Sequence, residues 1–70
     1  MNDRSNVLAS IKAIAEYAIT RADMAALESN KYAVATWNHV ASNLLDLHEQ
    51  AEAWDDDTIN LIARKMRSEL

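Results

Sequence analysis

His48 is the residue best placed to do chemistry in this 70-residue chain. Glu49 and Glu52 follow it and Asp46 precedes it, so the ligand types for a divalent cation are at hand. Their spacing argues against a metal. A zincin helix needs a second His one turn away and a di-iron bundle needs Glu-x-x-His pairs, and neither is present. The other histidine, His39, falls nearly opposite His48 on a helix, so the two cannot share an ion within one chain. A solvated acidic face is the expectation, with no metal site.

Two readings remain for His48. As a polar group within an apolar seam it would select one pairing register and change charge near neutrality. Alternatively it is a partly buried histidine hydrogen-bonded to Glu52 one turn on, and this is the reading we favour because buried polar groups find partners. Asp55, Asp56 and Asp57 suggest cation binding at first sight. An EF-hand loop, however, requires alternating oxygen ligands, a glycine and a terminal glutamate, none of which follows. Capping of a helix N-terminus explains the run.

Catalysis finds no foothold. Ser5, Ser10, Ser29, Ser42 and Ser68 lack a nucleophile-elbow context, and there is no cysteine. Glycine is also absent, which removes the phosphate-cradling loops of the Walker and Rossmann kinds. We expect no enzyme activity, no cofactor and no small-molecule substrate.

The elements that carry these residues read as helices throughout. With neither glycine nor proline, the chain lacks the usual hairpin-turn residues, and it has no β-branched runs for strands. The expected fold is all-α: a long helical hairpin plus a short third helix, forming a dimeric helical bundle from one domain of residues 1–70. The helices are placed at about 4–27, 30–54 and 57–69.

The first helix starts at Asp3 or Ser5 and carries Val7, Leu8, Ile11, Ile14, Ala15, Ala18 and Ile19 on one face, continued by Ala22, Ala25 and Ala26. Thr20 with Asp23 resembles a capping box and offers an alternative break, but the stripe keeps its phase across it. Glu28, Ser29, Asn30 and Lys31 form the turn, with Ser29 or Asn30 as cap. In the second helix Val34, Trp37, Ala41, Leu44, His48 and Ala51 recur at three- and four-residue steps and form the dimer or core seam. Val40, Leu45, Leu47 and Trp54 widen it. Ile59, Ile62, Ala63, Met66 and Leu70 mark the third helix, which ends in Arg64, Lys65 and Arg67.

Half the residues are hydrophobic, but many are alanine and phenylalanine is absent, so a lone core is marginal at this length. Without cysteine for disulfides, self-association is the support left, and a homodimer is expected. The net charge of −4 is concentrated between residues 31 and 57, while the third helix is basic. Trp54 with Asp55, Asp56 and Asp57 is the candidate partner-binding site, although Trp54 is more simply a clamp on the third helix. Tyr17 and Tyr32 lie off the main stripes and suggest a second contact surface with Met24 and Leu27.

The function expected is that of a small acidic protein-interaction module, a regulator, inhibitor or adaptor that binds another protein. One alternative is a nucleic-acid-binding dimer using Arg64, Lys65 and Arg67, though dipole compensation explains those residues as well. Another is a structural subunit of a larger assembly. No stretch is apolar enough for a membrane span, and a cytoplasmic location is expected. No motif ties the residues to a family; the profile is that of small accessory proteins of bacteria and their phages.

Overall fold

The computed structural model describes residues 3–68. The third helix's expected end at residue 69 and the Leu70 end of its stripe lie outside the described residues. Three helices make up the all-α fold: α1 (Asp3–Leu27), α2 (Lys31–Ala51) and α3 (Asp56–Ser68). Helices α1 and α2 pack extensively as an antiparallel hairpin, and α3 docks on α1.

Helix α1 passes through Thr20 without a break. The Thr20 hydroxyl donates back to the Glu16 carbonyl (3.1 Å), so it is satisfied inside the helix and not spent on capping. At the far end Ser29 takes a left-handed conformation with φ 57°. Its N–H donates to Ala26 O (3.1 Å) while the Asn30 N–H reaches Ala25 O (3.0 Å), the paired bonds of a Schellman close. Glycine usually occupies that position. Here serine does, and Asn30 is committed elsewhere: its side chain accepts the Ala33 N–H (3.1 Å) and caps α2.

The second helix is shorter than its stripe suggests. It ends at Ala51, so Trp54 is a turn residue and not the edge of α2. The cause comes from the other end of the chain. The Arg4 guanidinium donates to the carbonyls of Ala51 (3.4 Å), Glu52 (3.3 Å) and Trp54 (2.6 Å), and to Asp56 Oδ1 (3.0 Å). These bonds reach carbonyls at and just past the helix end, the Ala51 carbonyl also accepting the Trp54 N–H, and they favour a turn at this point. The Ala53 and Trp54 N–H groups meanwhile bond three residues back, to Gln50 and Ala51. Asp55 then accepts the Thr58 N–H (2.8 Å) and opens α3.

The core is made almost entirely of small side chains. Among the described residues the buried hydrophobics are Val7, Ile59 and seven alanines: Ala15, Ala18, Ala22, Ala25, Ala41, Ala51 and Ala63. Four of these alanines lie on α1 at three- and four-residue steps and form a flat strip against α2. The apolar face expected of α1 does not turn inward as a whole: Ile11 packs against the α3 cluster, whereas Ile14 is 55% exposed and Ile19 is 42% exposed. Ile14 and Ile19 flank the alanine strip on opposite sides. A strip without bulk lets two helix backbones approach closely, whereas β-branched side chains on the contact line would hold them apart.

Helix α3 contributes the bulkier part of the core. Ile59 and Ala63 close on Val7, with Ile11, Trp54, Ile62 and Met66 packed around them. Ion pairs fasten both ends of this contact, Arg4 to Asp56 (3.0 Å) and Arg67 to Asp3 (3.2 Å). Overall the molecule measures 43 × 24 × 16 Å. Its radius of gyration is 14.2 Å, against about 11 Å for an ordinary compact domain of this length.

Candidate interaction surface

The seam on α2 faces α1. Ala41 and Ala51 are buried, while Val34, Trp37, Leu44 and His48 are half-buried. The His48 Nδ1 lies 3.4 Å from Glu52 Oε1, one turn along the helix. Asp46, Glu49 and His39 are exposed. Among the described residues no group of three or more His, Cys, Asp or Glu side chains comes together around a point where an ion would sit.

The acidic turn is occupied with structural duties. Trp54 packs on the α3 cluster and its carbonyl receives Arg4. The Asp55 carboxyl is held below the usual aspartate range, first by its hydrogen bonds with Thr58 and then by the Arg4 charge. Asp56 pairs with Arg4, and Asp57 is exposed in the first turn of α3. On the basic helix Arg67 is held by Asp3, whereas Arg64 and Lys65 are exposed. Steps of three and four residues set Asp57, Leu61, Arg64 and Lys65 on one side of α3, with Leu61 65% exposed at its centre.

The remaining large apolar side chains are unevenly spread. Ile14, Tyr17 and Met24 share one flank of α1, at steps of three and seven, and all are exposed. Trp37 of α2 borders this flank. The Tyr17 and Trp37 rings meet edge to face with centroids 6.0 Å apart, and the Arg21 guanidinium lies 5.7 Å from the Trp37 ring centre. Leu27 and Tyr32 project at the hairpin turn, almost fully exposed. Beside them an open groove of about 550 Å³ runs between Ala26 and Val34, edged by Ser29, Lys31 and Asn38.

No protein-family model, curated protein or solved structure matches this chain.

The surface chemistry that the geometry assembles is therefore apolar contact, ring stacking and two small charge clusters. Sequence reasoning missed two of its members. Ile14 falls in phase with the apolar face of α1, and period alone cannot separate a core stripe from a parallel one beside it. Arg4 passed unnoticed, although a cation in the first turn of a helix opposes the dipole and so points to a partner elsewhere. No helix among the described residues is long and apolar enough to cross a membrane.

Proposed function

We propose that this protein is a non-catalytic interaction module that works as a homodimer and acts by binding another protein, as a regulator, inhibitor or adaptor. One observation carries the reading: side-chain size is distributed the wrong way round for a self-sufficient monomer. Among the described residues seven of the nine buried hydrophobics are alanine, while Ile14, Tyr17, Met24, Leu27, Tyr32 and Leu61 stand exposed. Burial of apolar area is the main stabilising term in a fold, and alanine supplies little of it. Large side chains at the surface are useful where another molecule covers them.

The outer side of α3 supports the second half of the reading. Leu61 there is a single apolar anchor between Asp57 and the exposed Arg64 and Lys65, an apolar centre with a polar rim. The acidic balance of the whole chain, −4, steers encounters toward a basic partner.

The test is capture from extracts by a tagged chain, with the recovered material identified by mass spectrometry and nucleic-acid staining. One protein in fixed ratio is expected, retained by the Arg64→Ala, Lys65→Ala, Arg67→Ala triple variant and lost with Leu61→Glu. Recovery of nucleic acid alone, abolished by the triple variant and falling steeply with salt, would replace this reading with a nucleic-acid-binding dimer.

A further inference from the structure

The exposed flank of α1 has an internal symmetry that a second copy of the chain would satisfy. Its members, Ile14, Tyr17, Arg21 and Met24, are spaced three, four and three residues apart, an arrangement that reads the same in both directions. Positions equidistant from residue 19 are complementary: Ile14 with Met24, and Tyr17 with Arg21. Polar Ser10 and Glu28 extend the same series at either end. When two such helices pack antiparallel about a twofold axis level with residue 19, each Ile14 meets the partner's Met24. Each Tyr17 then meets the partner's Arg21.

We propose that the protein is a homodimer through this stripe, the two α1 helices antiparallel and in this register. The proposal rests on the homodimeric part of the function proposed above and specifies its interface. The area fits. The chain exposes 5289 Å², whereas a folded monomer of its 7.9 kDa exposes about 4,400 Å². That surplus of roughly 900 Å² is spread over the whole surface, and in size it matches the ~800 Å² that each partner buries in a standard stable interface.

The charges fit too. Arg21 is the charged member between Ile14 and Met24, and its guanidinium already lies over Trp37. In the dimer it gains the partner's Tyr17 as a second ring. Glu16 and Asp23 project from α1 roughly a third of a turn away from the stripe, so two acidic chains meet without opposing carboxylates there. Access is open as well, because α3 reaches α1 at Val7 and Ile11 and Ile14 remains exposed beyond it.

The test uses the full chain and two single variants, Ile14→Lys and Met24→Glu, with mass measured by light scattering over a hundredfold concentration range and helicity by circular dichroism. In either variant alone, a charge faces an apolar side chain at both symmetric contacts, and dimer affinity falls roughly a hundredfold. In an equimolar mixture the introduced ammonium faces the introduced carboxylate, the other contact keeps its native pair, and the dimer returns. Should a variant alone lose helicity, its recovery on mixing reports the same result.

Variants that stay dimeric like the wild type, or a mixture that recovers neither mass nor helicity, would overturn this interface while leaving the homodimer itself standing. So would loss of the dimer on Leu61→Glu. A folded wild-type monomer at every concentration would overturn both.

Discussion

Arg4 occupies a position that helix electrostatics disfavours, the first turn of α1, where the dipole is positive. Its return comes from the opposite pole of another helix. The Ala51, Glu52 and Trp54 carbonyls, at the end of α2 and in the turn after it, and the Asp56 carboxylate receive its guanidinium, an arrangement that needs a planar fork of several donors. Arg4→Ala should lower the unfolding free energy by about 1–3 kcal/mol in urea titration, and Arg4→Lys should recover little of it. Ser29 carries the one positive φ among the described non-glycine residues. Removing its Cβ relieves a contact with the backbone, so Ser29→Gly should raise stability by about 0.5–1 kcal/mol, read as a higher urea midpoint at unchanged slope.

Asp55 predicts a pH dependence with a definite sign. Its folded carboxyl titrates below the ordinary value because ionisation strengthens the bonds with Thr58 and the attraction to Arg4. The unfolded chain therefore takes up the proton first on acidification. The contribution is fully present above the unfolded value of about 3.9 and is lost as pH falls through the lowered folded value. Asp55→Asn keeps a capping oxygen without the charge, so its stability deficit against wild type should be constant near neutrality and vanish in strong acid.

At the scale of the elements, the hairpin is an alanine contact with one histidine beside it. His48 is three-quarters buried and within 3.4 Å of Glu52, so the polar group pairs along its own helix. His48→Leu should therefore increase hairpin stability by about 0.5–1 kcal/mol and leave the solution mass unchanged. A changed oligomer distribution would show instead that His48 sets the pairing register. The capped starts of α2 and α3 could be placed from residue type, but the choice of Asn30 over Ser29, and of Asp55 within the Asp55–Asp57 run, came from the structure. The early end of α2 could not, because the residue that favours it, Arg4, lies about fifty positions away in sequence.

At the scale of the molecule, shape and composition agree. An alanine core supplies little buried apolar area, and two long helices with a short third make an extended molecule, with a radius of gyration of 14.2 Å. Such a molecule gains most from a neighbour that shares its exposed side chains, and the α1 flank is a self-complementary place to do so. Tyr17 and Met24 could be recognised from sequence as lying off the main stripe. That Ile14 belongs with them, and that Arg21 stands over Trp37, required the packed hairpin.

The sequence by itself determined the class of the fold and its punctuation. Without glycine or proline, and with apolar residues at helical period, the backbone has few options besides helices joined at capped turns. Which stripe of α1 turns inward emerges from packing. Hydrophobic period measures where apolar residues recur, but the inward face is chosen by how near two backbones can come, and the smallest side chains won that contact. Ile14, Tyr17, Ile19 and Met24 were thereby left at the surface, and the candidate interface lies on the flank that carries Ile14, Tyr17 and Met24.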